Sequence, residues 1–384
     1  IAVSGARAAD AVVVAEPEPA EYVKICDVYG AGYFYIPGTE TCLRIGGYVR
    51  YDATAGSDAI KGFAGTDGND ARTGKEQDTW AKQARFTLKT WTGQETELGT
   101  LKTYTETRFN FGNWSSHANR LAVDDGNVIG AGGAGNSVSL NFAWIQLGGL
   151  RVGKDESAFD TFSGYAGNVI NDTLVPYGNF DTNVVQYYFD AGNGFSAVVS
   201  LEQGSDNKFK ADFDGDGVYT DKFVDYIGTI DSYVPHVVIG AKYTQGWGGI
   251  NGVVAYDSNY ETWAGKVRLD VNVSNALSLF VMGGYGQEKI NLTNPLGHSF
   301  YKPWDGKWAV WGGGSYKFDE KTSFNLQASY DAGKTVGIAA NVAYAVVPGF
   351  TVTGEVDYIN HTKDNFYQTK SDGIGGVIRF QRDF

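Results

Sequence analysis

Apolar and polar residues alternate in short segments over most of this chain, from about residue 42 to the last residue. In the first segment Leu43 and Ile45 share one face, and Arg44 and Arg50 share the other, because successive side chains of a β-strand point to opposite sides. The pattern predicts sixteen strands. They lie near residues 43–52, 80–92, 98–110, 137–147, 150–154, 183–190, 195–203, 235–244, 250–257, 262–273, 277–286, 307–318, 323–331, 335–345, 350–358 and 373–384.

The connections between these strands alternate in length. Short turns lie near residues 94–97, 191–194, 245–248, 274–276, 319–321 and 347–349. The other connections are mostly long and cover residues 53–79, 111–136, 155–182, 204–234, 287–306 and 360–372, with short exceptions near 258–261 and 332–334. Short turns on one rim and long loops on the other are typical of outer-membrane barrels, whose short turns face the periplasm.

Composition agrees with this interpretation. The chain has 52 Gly, 24 Tyr, 22 Phe and 9 Trp beside 8 Pro, which favours strands and tight turns. Aromatic residues gather near both ends of the predicted strands, as in the two aromatic belts of a membrane barrel. We therefore predict an all-β fold, a 16-stranded antiparallel transmembrane β-barrel of the bacterial outer membrane with short periplasmic turns and long extracellular loops.

Lipid offers no hydrogen bonds, so the sheet must close and leave no free edge. The last predicted strand ends in an aromatic residue, Phe384, which we expect to close the barrel on the first strand and to mark it for assembly. The net charge of -13 argues against nucleic acid as a partner.

The chain divides into three zones. Residues 1–8 are interpreted as the remnant of a signal peptide, because Ala6 and Ala8 form the small-x-small pattern of a cleavage site. Residues 9–41 are expected to form a periplasmic N-terminal tether and a disulfide-closed segment, and residues 42–384 the barrel. Cys26 and Cys42 are the only cysteines, and in an exported protein such a pair is most simply a disulfide.

Several segments resemble the general porins of alphaproteobacteria, of the rhizobial and Brucella type, over essentially the whole mature chain. They are YGAGYFYIPGTETCLRIGGYVRY (29–51), TGQETELGTLKTYTETRFN (92–110), GGLRVGKDES (148–157), NGFSAVVSLEQG (193–204), GVVAYDS (252–258) and VIRFQRDF (377–384). The resemblance implies a sixteen-stranded barrel, a homotrimer, and a passive, water-filled channel for small hydrophilic solutes and ions. It also implies that the third long loop, here about residues 155–182, folds into the lumen.

In general porins, acids on the infolded loop face basic residues on the barrel wall, and the opposed charges orient polar solutes. The resemblance thus places four loop acids in the pore constriction: Asp155, Glu156, Asp160 and Asp172. The wall would contribute the basic residues in the lumen-facing phase of the first strands, which are Arg44, Arg50, Arg85, Lys89, Lys102 and Arg108. The alternative is that each charge only keeps the interior wet.

The other expected partners are outer-membrane lipid, lipopolysaccharide and the barrel-assembly machinery. The Ala9-Asp10 start resembles barrels of this bacterial group whose N-termini are joined to peptidoglycan, and an untethered tail is the alternative.

No cofactor is expected, with one exception held as a hypothesis. Asp212, Asp214 and Asp216 occupy the first, third and fifth positions of an EF-type calcium loop, although Phe223 replaces the glutamate at the twelfth. This segment is a candidate for loosely bound calcium, and the alternative is an acidic solvated loop.

We expect no enzymatic activity, because the four histidines are scattered and no nucleophile elbow or phosphate loop is present. The second interpretation is a substrate-selective outer-membrane channel. A barrel enzyme and a soluble β-sandwich rank below it.

Overall fold

The computed structural model describes residues 24–57, 60, 66–113, 122–124, 127–129, 135–205, 207–210, 223–226, 228–289, 298–361 and 371–384. Its main sheet has 17 strands, one of which is the two-residue strand Phe34–Tyr35 that pairs with the start of the first long strand. The other sixteen form the barrel. They are β1 (Cys42–Gly56), β2 (Ala81–Thr96), β3 (Gly99–Gly112), β4 (Gly135–Leu147), β5 (Leu150–Glu156), β6 (Asp181–Asp190), β7 (Phe195–Glu202), β8 (His236–Gln245), β9 (Gly248–Asp257), β10 (Thr262–Asn272), β11 (Leu277–Gly286), β12 (Trp308–Lys317), β13 (Thr322–Asp331), β14 (Thr335–Val347), β15 (Phe350–His361) and β16 (Ser371–Asp383).

Each barrel strand pairs antiparallel with the next, and β16 pairs with β1 from Tyr48↔Asp383 to Gly56↔Gly375. The sheet is therefore closed, which satisfies the backbone without water. The sixteen predicted strands are all present, and their bounds differ from the prediction by a few residues.

The C-terminal residue takes part in the closure. The Gly47 N–H donates to Phe384 O at 3.1 Å, and the Phe384 N–H donates to Gly47 O at 3.1 Å. Gly47 has a φ of 153°, and a Cβ there would lie 1.9 Å from the carbonyl oxygen of Thr87, so only glycine fits this bend.

The barrel exposes its apolar phase outward. Ile45, Val267 and Val356 are more than half exposed in the isolated chain, whereas Asp52 and Glu106 on the opposite face are nearly inaccessible. The two rims also differ as predicted, with two-residue turns such as 246–247 on one and long loops such as 157–180 on the other. No helix in the described part of the chain is long and apolar enough to cross a membrane.

Three small hairpins lie within the long loops and were not predicted. They are Thr66–Asn69 with Glu76–Thr79, Ala122–Asp124 with Asn127–Ile129, and Asn207–Lys210 with Phe223–Tyr226. The one helix in the described residues, α1 (Ala158–Thr161), is a single turn in the third long loop.

The predicted disulfide is confirmed. Cys26 and Cys42 are bonded, with Cα atoms 6.0 Å apart. The segment that the bond closes lies beside the short-turn end of β2, where the Tyr29 hydroxyl donates to Glu95 at 3.0 Å.

Candidate pore and constriction

The third long loop, residues 157–180 between β5 and β6, is called L3 here. Most of its buried apolar side chains belong to the main buried cluster of the described residues, and Val169 and Leu174 belong to a second one with Ala339 and Ile359. On L3 the members of the main cluster are Ala158, Phe159, Phe162, Ala166, Val175 and Tyr177, and on the inward faces of β7 to β12 they are Val198, Val238, Val253, Ala255, Ala264, Phe280, Met282, Ala309 and Trp311. L3 therefore lies inside the barrel because burial of this apolar surface is favourable.

The first end of L3 is fixed by a carboxylate from the barrel wall. Glu202 of β7 accepts hydrogen bonds from the Ser157 hydroxyl at 2.6 Å, the Ala158 N–H at 2.8 Å and the Tyr301 hydroxyl at 3.0 Å. The Ser157 hydroxyl oxygen also accepts from the Phe159 N–H and caps α1. An acid and a cap at the start of a helical turn satisfy its free N–H groups.

A buried ion pair holds the middle of L3. Lys266 of β10 donates to Asp160 at 2.7 Å and to the carbonyl oxygen of Tyr177 at 2.9 Å, and both charged side chains are at most 1 % exposed. The Lys266 ammonium also lies 4.2 Å from the centre of the Phe159 ring. Removing one member of such a pair leaves the other charge buried without a partner.

The second half of L3 is attached to β12–β15. Glu355 accepts from the backbone N–H groups of Ile170 at 2.5 Å and Asn171 at 2.7 Å, and Asn341 donates to the same carboxylate at 2.8 Å. The Trp311 indole donates to the carbonyl oxygen of Val175 at 2.8 Å. L3 is thus held along much of its length by side chains from one half of the wall.

A second loop segment, residues 298–307 before β12, also enters the lumen. Phe300, Tyr301 and Trp304 are buried in the same cluster, and the Tyr301 ring lies 5.4 Å from that of Phe159. The residue pattern did not predict that this loop enters the barrel. The only signal was its run of aromatic residues in a long connection.

The opposite part of the wall, formed by β16, β1, β2 and β3, is charged. The Asp52 carboxylate accepts hydrogen bonds from Nε and Nη2 of Arg379, at 2.7 and 3.1 Å. One of its oxygens also lies 3.5 Å from Nε of Arg50. Glu106 binds Arg108 at 2.8 Å and Lys89 at 3.4 Å. Two acids are thus embedded in a larger set of cations, which we call the cationic wall. It consists of Arg44, Arg50, Arg85, Lys89, Lys102, Arg108 and Arg379.

Six of these seven cations are the wall residues expected from the sequence, and the described structure places all six on the inward face of β1 to β3. Arg85 donates to Asn110 at 2.6 Å and to Gln83 at 3.0 Å. Arg44 stacks on Trp91 with 4.7 Å between the guanidinium and the ring centre, and Lys102 is exposed. Arg379 lies on the last strand, whereas the predicted wall cations all lie on the first three.

The four acids expected on L3 do not form a row that faces the cationic wall. Asp160 is buried against Lys266, so its assignment to the constriction has to be corrected to an anchoring role. Asp155 and Glu156 are the last residues of β5 and not part of the loop. Asp155 is buried and pairs with Arg151 at 2.7 Å, and Glu156 accepts a hydrogen bond from the Tyr165 hydroxyl.

Asp172 is the remaining acid. It accepts a hydrogen bond from the Tyr177 hydroxyl, and burial raises its pKa to about 6. Asp155 and Asp160 are buried, and the cations that pair with them, Arg151 and Lys266, lie on β5 and β10 and not on the first three strands. Glu156 and Asp172 accept hydrogen bonds from tyrosine hydroxyls instead. The exposed side chains of L3 are instead Tyr165, Asn168 and Thr173.

The residues of the calcium hypothesis, Asp212, Asp214 and Asp216, lie outside the described residues. Within the described ranges, no group of three His, Cys, Asp or Glu side chains is arranged to hold a metal ion.

A closed barrel with an apolar outer surface, a charged inner wall and an inserted loop defines a class, the channels of the outer membrane. The profile of the porin subfamily matches residues 10–377 of this chain. The chain is 50 % identical over 393 aligned residues to the porins Omp2b of Brucella canis and Brucella abortus, covering 100 % of this chain and 96 % of each relative. The chain therefore belongs to the porin family, of the Brucella type, and is a general diffusion channel of the outer membrane.

Solved structures agree on the fold. The outer-membrane channel DcaP of Acinetobacter baumannii superposes with a TM-score of 0.62 at 17 % identity, covering 91 % of this chain and 99 % of that one. An engineered Rhodopseudomonas blastica porin gives 0.53 at 13 % identity, covering 89 % of this chain and 100 % of that one.

Proposed function

We propose that solutes pass between the exposed edge of L3 and the cationic wall, and that this aperture sets both the size limit and the charge preference of the channel. One observation carries the proposal: L3 is fixed to β7–β15 by buried contacts, whereas the wall of β16 and β1–β3 presents mainly cationic side chains to the lumen. Arg50 and Arg85 are neighbours across β1 and β2, so the positive charge is concentrated at one height.

The proposed process is passive and involves no chemical step. Charged side chains on one side of a narrow aperture create an electric field across it. They favour solutes whose bound water can be replaced by polar contacts with the wall. Small hydrophilic solutes satisfy this condition and lipophilic ones do not.

Reconstitution into planar bilayers and liposomes tests this proposal. We expect stepwise, ohmic conductance, and solute entry rates that fall smoothly with size. Replacing Arg50 and Arg85 together by serine should shift the reversal potential in a salt gradient toward cations. Silent bilayers, or a double variant with an unchanged reversal potential, would contradict it.

We further propose that three copies assemble through the outward face of β2 and β3. Hydroxyl pairs lie on this face, Thr90 with Thr105 and Thr92 with Thr103, each at 2.6 Å between oxygens. A polar strip suits contact with protein better than contact with lipid tails. Thr105→Trp should therefore shift the detergent-solubilised protein from trimer to monomer, and Val281→Trp on the outward face of β11 should not. Equal effects of the two variants would contradict this interface.

A further inference from the structure

A continuous row of aromatic rings and guanidinium groups crosses six neighbouring strands on the inward face. Arg44 of β1 stacks on Trp91 of β2, Trp91 lies 5.4 Å from Tyr104 of β3, and Tyr104 lies 5.7 Å from Trp144 of β4, measured between ring centres. Arg151 of β5 then lies 4.0 Å from the Trp144 ring and 5.0 Å from the Tyr188 ring of β6. We call these six residues the aromatic row.

The row is built into the register of the sheet. Arg44 is paired with Trp91, Trp91 with Tyr104, and Tyr104 with Trp144, so the contacts follow lateral neighbours without a gap. All six positions lie near the short-turn ends of their strands, and short turns face the periplasm. The row therefore lies on the periplasmic side of Arg50 and Arg85.

Neither lipid nor loop packing accounts for these rings. They face inward, so they are not part of the outward aromatic belts. Trp91, Tyr104, Trp144 and Tyr188 remain partly exposed, and of these only Tyr188 packs against the cluster that holds L3. The rings are thus presented to the lumen over several strands.

Polar groups flank the rings. Arg44 is exposed and makes no hydrogen bond to another described residue, and its side chain lies between Trp91 and Gly32 of the disulfide-closed segment. Lys102 is exposed and lies two residues before Tyr104 on the same face of β3, where it is paired with Gln146 of β4. The Tyr104 hydroxyl donates to Glu106 at 2.7 Å and so links the row to the cationic wall.

We propose that the aromatic row is a weak saccharide-binding track. A pyranose ring has an apolar C–H face, which stacks on aromatic rings, and a rim of hydroxyl groups, which accept hydrogen bonds from guanidinium and ammonium groups. The rings match the first feature, and the exposed Arg44 and Lys102 beside them match the second. Arg151 stacks on Trp144 and Tyr188, and its guanidinium donates to Gln146 and Asp155. This inference rests on the proposed channel function and adds a substrate class to it.

Single-channel recordings with maltotriose as the probe test the track. We expect a saturable, concentration-dependent reduction of current in the native protein, and only a smaller, non-saturating reduction with a polyethylene glycol of equal hydrodynamic size. Trp144→Leu should raise the half-blocking sugar concentration about three- to tenfold, the value of one aromatic contact. Trp144→Phe, which keeps a ring, should fall between the two.

Trp308→Leu on the outward face of β12 is the matched control and should leave the sugar block unchanged. Equal block by sugar and polyethylene glycol, or an unchanged half-blocking concentration in Trp144→Leu, would overturn the saccharide track while leaving the channel intact. A native protein without any conductance would instead contradict the proposed function. Heat-modifiable migration on gels shows that each variant has folded.

Discussion

The two halves of the barrel wall have the same outward pattern and differ on their inward faces. From β7 to β12 the inward face is rich in apolar residues such as Val238, Val253 and Met282, and it is covered by L3 and residues 298–307. On β16 and β1 to β4 the inward face carries the cationic wall and most of the aromatic row. The comparison teaches that an inward-facing apolar residue in a barrel marks a wall that a loop covers, because water would otherwise contact it.

The largest effect is expected from breaking the covered half. Lys266→Ala leaves the Asp160 carboxylate buried without its partner, which should weaken the attachment of L3 by about 3–5 kcal/mol. We expect a larger and noisier single-channel conductance. Lys242→Ala is the control, since Lys242 lies 4.5 Å from the Phe162 ring without an ion pair among the described residues.

Replacing both members of the pair, in Asp160→Leu with Lys266→Met, separates charge from packing. Apolar residues of similar volume often substitute for a buried ion pair without loss of stability. The double variant should therefore conduct more like the native protein than Lys266→Ala does. A double variant as noisy as the single one would mean that the charges have a role beyond anchoring.

A smaller effect is expected where L3 meets β15. Glu355→Gln keeps the size of the side chain and removes the charge that accepts the Ile170 and Asn171 N–H groups. Charge-assisted hydrogen bonds of this kind contribute about 1.5–3 kcal/mol. We expect more frequent current fluctuations at unchanged mean conductance, and a noise spectrum identical to that of the native channel would contradict the anchor.

The smallest effect concerns pH. Burial raises the pKa of Asp172 from 3.8 to about 6, so the protonated form is favoured in the folded loop. Its contribution to the stability of L3 is therefore complete below pH 4 and lost as the pH rises through 6. Current noise should increase between pH 4 and pH 8 in the native channel, and this increase should be smaller in Asp172→Asn. An equal increase in both would show that another group titrates.

The sequence allowed the strands to be predicted because alternation is a local property of neighbouring residues. It also indicated which phase faces lipid, as Ile45 and Arg50 show. The insertion of L3 into the lumen was expected only from the family resemblance. The residue pattern of 157–180 alone does not distinguish an inserted loop from one that extends into solvent. The partners of its acids depend on contacts distant along the chain, such as Asp160 with Lys266, and these could not be predicted from spacing.

The charged residues of the site also divide into those that the strand pattern predicts and those whose role depends on distant contacts. Arg50 and Arg85 follow directly from strand phase. Glu202 and Glu355 have the same inward phase, yet their role is set by the loop that folds onto them. A search for apolar residues in the inward phase of β7 to β12 would have identified the covered half of the wall.

Thiol accessibility tests the asymmetry of the wall most directly, because the two native cysteines are bonded to each other. Arg85→Cys places a thiol on the cationic wall, and Val253→Cys places one beneath L3, where the native side chain is 2 % exposed. With a charged, membrane-impermeant thiol reagent, the account predicts a rapid change of conductance for Arg85→Cys and no reaction for Val253→Cys. Equal modification rates at the two positions would contradict it.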